Sequence, residues 1–344
     1  MASSMLFFSC IARLMLASLP LYAALAFVMP AIGWTRHGDL LAFVSERSGN
    51  NEIYVLDVWH QLLVNVTNDE GSDYAPNWSS DGAYLAYVTS RSGNTEVYVV
   101  DWIYGKTTNV SDNSSSDYDP RWSPDGRWLA FVSGRSTNNE IYILAVGDRQ
   151  LINTTNFFSR DDFPAWSPDS KKIAYVSQRG GQRQIFRWDM TVQAIERVSY
   201  DGTWDDFPIW SPDGRYLAFV SRRDGNQEIY VLDTQSGEQR NMTNFASNDY
   251  SPIWSPDSSR LAFLSNRDGN VEIYLLEMAT QKLTNVTQSR AAEYHPAWSP
   301  DGSRLAFVSN RSRNNEVYVL NLANRDVENL SQSPASDFRP VWSP

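Results

Sequence analysis

The stretch "IWSPDGRYLAFVSRRDGNQEIYVLD" (Ile209–Asp233) decides the architecture. Trp210 is followed by Ser-Pro-Asp-Gly and then by two short alternating apolar runs, "YLAFVS" and "EIYVLD", with the turn-forming cluster "RRDGNQ" between them. The same tryptophan returns at Trp34, Trp78, Trp122, Trp166, Trp254, Trp298 and Trp342, each 44 residues from the last with no insertion or deletion. A fixed period of this length belongs to arrays in which each unit buries its apolar face against its neighbours.

Each unit carries four strand-like runs. In the fifth they are "PIWS" (A), "YLAFVS" (B), "EIYVLD" (C) and the weaker "QRNMT" (D). Proline presets φ in the A–B turn and glycine supplies a positive φ, and "RDGN" or "RSGN" serves the B–C hairpin in the same way. Four antiparallel strands per 40–45 residues describe a propeller blade. Units starting at Trp34 through Trp298 predict an all-β, seven-bladed β-propeller over residues 34–344. The last residues, "DFRPVWSP" (337–344), repeat the segment around strand A and then stop, while the first unit reads "RHG" where the others read "PDG". The favoured reading is that this C-terminal strand completes blade 1 and removes an exposed edge. The alternative takes strand A of blade 1 from residues 30–36.

The chain has 344 residues and a net charge of -11, from 29 basic and 40 acidic side chains. That balance disfavours nucleic acid and anionic membranes and favours basic partners. The single cysteine, Cys10, excludes an internal disulfide and a Cys-based metal site, and three histidines (His37, His60, His295) argue against a His-rich one. Residues 1–33 differ from the repeats. Leu14–Gly33 holds twenty uncharged residues after Arg13, long enough to span a bilayer, and Ala24-Leu25-Ala26 offers a cleavage pattern. The segment reads as a signal peptide or a membrane anchor, and export follows from either.

The strings "PIWSPDGRYLAFVSRRDGNQEIY" and "PAWSPDGSRLAFVSNRSRNNEVY" resemble the WD40-like, or PD40, repeat of the TolB family of propellers. The resemblance covers residues 34–344 and implies a propeller that binds protein partners in the periplasm. TolB itself carries a further N-terminal α/β domain where this chain has its leader. Similar blades occur in prolyl-oligopeptidase-type and tricorn-type proteases, but no G-x-S-x-G elbow is present here.

Two sets of charges keep the period. An acid stands five residues before each repeat tryptophan: Asp73, Asp117, Asp161, Asp205, Asp249, Glu293 and Asp337. An arginine stands thirteen residues after it: Arg47, Arg91, Arg135, Arg179, Arg223, Arg267 and Arg311. The acids fall at the D–A connections and the arginines in the B–C turns, which leave a blade on the same side. One reading pairs the two rings structurally. The other makes the acids a carboxylate ring at the channel mouth that binds a basic peptide or Ca²⁺. Because the D–A connections carry surplus acids, including Asp119, Asp162 and Asp206 without an evident arginine, this rim is expected to hold nearly all the net charge. An acidic face attracts basic partners over about 8 Å at physiological salt.

Further periodic residues have simpler readings. Glu52, Glu96, Glu140, Glu228, Glu272 and Glu316, with Gln184 as the exception, open strand C and compete for the arginines. Asp81, Asp125, Asp169, Asp213, Asp257 and Asp301 are turn formers. Sequons begin at Asn65, Asn109, Asn153, Asn241, Asn285 and Asn329, at a fixed place in strand D that points to repeat inheritance. Trp59, Trp102 and Tyr104 fall in the C–D connections of blades 1 and 2 and mark a candidate contact patch. The expected function is an exported, non-catalytic propeller scaffold, monomeric, that binds a protein or peptide through this acidic rim; a channel-mouth lyase or hydrolase and a carbohydrate-binding propeller are the alternatives.

Overall fold

A computed structural model describes residues 39–200 and 202–344; the leader, Cys10, Trp34 and His37 lie outside them. The described residues form twenty-eight strands in seven four-stranded antiparallel sheets. In blade 5 the order from the axis outward is A (Asp205–Trp210), B (Tyr216–Ser221), C (Glu228–Asp233) and D (Gln239–Asn241). No helix among the described residues is long and apolar enough to cross a membrane.

The alternation of strand B explains how blades stack. Leu217 and Phe219 face blade 4, where they meet Ala174, Val176 and Ile185. Ala218 and Val220 face blade 6 and receive Trp254, Leu261 and Phe263. Each blade thus presents large side chains on one face and small ones on the other, so that neighbours interdigitate at interior packing density. Seven such clusters, one per interface, make up the core. Burying one Phe or Leu of this kind stabilises the fold by about 1.5–3 kcal/mol. The repeat tryptophan seals each interface, and its indole N–H reaches a carbonyl of the preceding strand A in three blades, as from Trp166 to Arg121 at 3.0 Å.

The turns form as their residues require. In Ser-Pro-Asp-Gly, Ser211 Oγ donates to Asp213 Oδ1 at 2.5 Å, Arg215 N–H donates to the same oxygen at 3.0 Å, and Gly214 has φ +73°. The six aspartates of this motif are turn formers.

The ring is closed by its C-terminal strand. Asp337–Trp342 pairs antiparallel with Leu40–Ser45, in the register Leu41↔Trp342 and Ser45↔Asp337. Trp342 packs with Leu41, Phe43 and Leu56 of blade 1 and with Ala306 and Val317 of blade 7. Blade 1 is therefore built from both ends of the described chain.

Candidate functional site

Each periodic acid is the first residue of an innermost strand, and all seven are fully buried. Each turns to the periodic arginine of its own blade: Arg135–Asp117 at 3.2 Å, Arg179–Asp161 at 3.3 Å, Arg223–Asp205 at 3.3 Å, Arg267–Asp249 at 2.8 Å and Arg311–Glu293 at 3.0 Å. In blade 1 the pair spans the closure, Arg47–Asp337 at 3.1 Å. In blade 2 Arg91 lies 2.5 Å from Asp69 and 3.6 Å from Asp73.

The rest of the motif builds the arginine's seat. Arg223 Nε donates to Ser221 Oγ at 2.8 Å, and its guanidinium lies over Phe219 and Tyr230, whose rings stack 6.0 Å apart. The recurrent Phe-x-Ser-x-Arg followed by Glu-Ile-Tyr is thus one unit that tethers strands A, B and C. The seven arginines hold their blades together, and the seven acids are interior groups rather than a surface ring. They diverge to separate arginines, and no group of three or more His, Cys, Asp or Glu among the described residues is placed to hold a metal ion, Ca²⁺ included.

Burial is the main force on these carboxyls. It pushes Asp73 up to about 7, Asp161 to about 6 and Glu293 to about 7, and raises Asp117 and Asp337 in the same direction. Asp73, Asp161 and Glu293 keep their protons in the fold but lose them in the unfolded chain between about pH 4 and 6 to 7, so their contribution to stability fades as pH rises through that window. For Asp73 alone the loss reaches on the order of 4 kcal/mol at pH 7. His295, pushed down to about 4 by burial and then by Arg339, acts in the opposite sense as pH falls below its ordinary range, but its side chain still reaches solvent and its contribution is small. Three strongly shifted carboxyls outweigh one imidazole. The melting temperature is therefore expected to fall from pH 5 to pH 8, and Asp73→Asn to flatten that fall; identical pH profiles for the two proteins in thermal melts would contradict it.

The surplus acids also have partners, against expectation. Arg121 lies 2.8 Å from Asp119, Arg160 Nε donates to Asp162 at 2.6 Å, and Arg183 Nε donates to Asp206 at 2.6 Å. These arginines sit two residues after, two before and twenty-three before their acids, offsets that no periodic alignment suggests. What the face exposes is close to balanced. Among the described residues its exposed acids are Glu46, Glu70, Asp112, Asp224 and Asp268, and its exposed bases are Arg160, Arg222, Arg290, Arg313 and Arg339. The seven periodic acids, by contrast, are held inside.

The strand C glutamates do not compete for the arginines. Glu228 accepts from Thr243 Oγ1 at 2.5 Å, from Phe245 N–H at 3.0 Å and from Asn226 Nδ2 at 2.7 Å. The sequon residues serve the same bend: Asn241 Oδ1 accepts the N–H of Thr243 and Asn244. Asn-x-Thr/Ser recurs because asparagine shapes the turn and the hydroxyl satisfies a buried carboxylate.

Uneven chemistry appears at one position that sequence reasoning missed. The third residue of each innermost strand has φ between +48° and +56°, at a bulge where the pairing register shifts. The bulge turns this residue toward the axis, at the channel mouth on the D–A side. Around the ring these residues are Arg339, Ala75, Asp119, Phe163, Phe207, Ser251 and His295 for blades 1 to 7. The acid two positions earlier and the proline that follows keep to the pattern in every blade; this position does not. Phe163 and Phe207 touch with centroids 4.6 Å apart, and Arg183 lies over Phe163. On the opposite arc Arg339 and His295 are neighbours and both reach solvent.

The apolar arc continues outward along the D–A connections of blades 3 to 5. Phe158 is 84% exposed and stacks on Phe157, while Tyr200, Trp204 and Phe245 also face solvent. Trp204 Nε1 donates to Asp206 at 3.1 Å, and the ring arginines Arg179, Arg223 and Arg267 sit over Phe157, Tyr200 and Phe245. Comparing equivalent positions shows the signal: Asp69, Asn113, Phe157, Asp201, Phe245, Ser289 and Ser333 occupy one place in the repeat, and two of them are phenylalanine. On the other side of the ring Trp59 and Tyr104 are exposed as expected, but Trp102 is buried edge-on against Trp78, with centroids 5.4 Å apart.

Seven closed blades around a mouth that is aromatic on one arc and cationic on the other define a β-propeller with a single uneven axial face. The chain belongs to the PD40 family, the TolB beta propeller domain, which matches residues 21–118, 75–207, 205–289 and 270–344. No curated protein matches it. Among solved structures it is similar to TolB from Acinetobacter baumannii, at 18% identity over 93% of this chain and 85% of that one, with a TM-score of 0.59. It is also similar to an oligogalacturonate lyase in complex with manganese, at 16% identity over 86% of each chain and a TM-score of 0.66. A third is the β-propeller domain of the Trilobed protease from Pyrococcus furiosus, at 14% identity over 87% of this chain and 97% of that one, with a TM-score of 0.67. That domain has an open velcro topology, whereas blade 1 here is closed. Identities this low establish a shared fold and nothing about activity.

Proposed function

We propose that this protein is an exported, non-catalytic propeller that binds a protein or peptide on the face formed by its D–A and B–C connections. The observation that carries the reading is the uneven ring of third-strand residues within an otherwise regular repeat. Phe163 and Phe207 offer an apolar seat, extended outward by Trp204, Tyr200 and Phe158, and Arg339 across the mouth offers an exposed cation that pairs with no carboxylate among the described residues. This arrangement suits an extended segment with a large apolar side chain at one end and an acidic group at the other. Buried, well-packed aromatic contacts of this type dominate binding energies. Asp119 and Asp206, the acids nearest the mouth, then set orientation rather than overall attraction. The TolB structures among the similar folds favour a binding role. Among the described residues no group of three or more His, Cys, Asp or Glu side chains gathers at the mouth, which favours the binding reading over a metal-assisted lyase.

Photo-crosslinking from the cell envelope tests the face. A benzophenone side chain at Tyr200 is expected to capture a discrete partner that the same group at Val192, exposed on the opposite side, does not capture. Equal capture from both positions would contradict the assignment.

A further inference from the structure

We propose that the C–D turn tips of blades 1 and 2 dock on a lipid bilayer. Trp59 is 70% exposed, Tyr104 75% and Ile103 54%, and among the seven C–D turns only these two carry aromatic tips. Their exposure is built in. Asp57 Oδ1 accepts the N–H of Trp59 and of His60, and Asp101 Oδ1 accepts the N–H of Ile103 and of Tyr104, so each tip is fixed by its own aspartate. Behind the second tip, Trp102 is locked edge-on against Trp78. A large indole, a phenol and a branched alkyl group held in water on rigid turns fit the membrane interface, where Trp and Tyr settle at headgroup depth.

The occupant follows from where the chain enters. The Asp39 carbonyl accepts the Val58 N–H at 3.0 Å, which places the first described residue beside Trp59. Only five residues separate Asp39 from Leu14–Gly33, the uncharged twenty-residue stretch. Five residues span at most about 18 Å, so a bilayer holding that stretch lies within reach of both tips. The carboxylates behind the tips are engaged by hydrogen bonds: Asp57 meets His60 Nδ1 at 2.8 Å, Asp101 accepts the N–H groups of Ile103 and Tyr104, and the second turn adds the cation Lys106. Lipid contact also leaves the D–A face directed away from the membrane.

The test uses the full chain in phosphatidylcholine vesicles, with Cys10→Ser and one environment-sensitive fluorophore on Lys106→Cys or, on the opposite face, on Arg222→Cys. The expected result is a blue shift and quenching by headgroup-depth nitroxide lipids at position 106 and a water-like signal at 222. Replacing Trp59, Ile103 and Tyr104 together by serine is expected to return position 106 to the water-like signal with an unchanged melting curve, because all three side chains are exposed. A water-like signal at 106 in the unsubstituted tips, as a protein-binding patch would give, overturns the proposal. So does a blue shift that survives the triple substitution.

Discussion

Deleting residues 337–344 is expected to lower stability by on the order of 10 kcal/mol, enough to unfold a typical domain. Trp342 is buried between blades 1 and 7, and losing such a side chain costs about 3–5 kcal/mol. Asp337 is the buried partner of Arg47, and removing one member of a buried pair costs a further 3–5 kcal/mol or so. The strand also covers Leu41 and Val44, both buried, whose edge would be left unpaired. Thermal melts followed by circular dichroism check this. The truncated chain should lose its cooperative transition or melt at least about 20 °C lower, and an unchanged melting curve would show that the ring does not depend on this strand.

Arg223→Ala is expected to cost about 3–5 kcal/mol, against about 1 kcal/mol for Asp206→Ala. Among the described residues the arginine is the only cation bonded to fully buried Asp205, and it also bonds Ser221 and Gln239 and covers Phe219 and Tyr230. Asp206 keeps contact with water through its position at the mouth, and its loss leaves Arg183 still partly solvated. Arg223→Lys should rescue little, since an ammonium lacks the planar fork that bonds serine and carboxylate together while stacking on a ring. Equal and small melting shifts for Arg223→Ala and Asp206→Ala would remove the structural role assigned to the ring.

The 44-residue period made the fold legible because each blade obeys the same local rules: a proline-glycine turn, two alternating runs and a tryptophan to cap the interface. Closure was legible in the unfinished eighth motif at 337–344. Pairing of Arg with acid was legible too, but its depth was not. An acid that opens an innermost strand looks, in sequence, like an acid in a connecting loop, and the difference of one residue decides between interior and surface. Asp119, Asp162 and Asp206 found arginines at unrelated offsets, because the partners come from strand bends and an adjacent blade rather than from the repeat. Trp102 was misplaced for a similar reason: it follows strand C directly and folds back on Trp78, leaving the next two residues at the tip. The aromatic arc went unseen because Phe163 and Phe207 sit inside a motif whose flanking residues drew attention to the acid and the proline.

Peptide selection tests the central claim most directly. A random displayed library would be selected on the immobilised full chain and, in parallel, on Phe163→Ala/Phe207→Ala and on Arg339→Ala. The account predicts enrichment of peptides that combine an aromatic or large aliphatic side chain with an acidic group. Both variants should bind those peptides at least about tenfold more weakly, as expected for central contacts. Enrichment of basic peptides bound equally by all three proteins and released by salt would contradict it, and would return the binding role to the acidic groups of the rim.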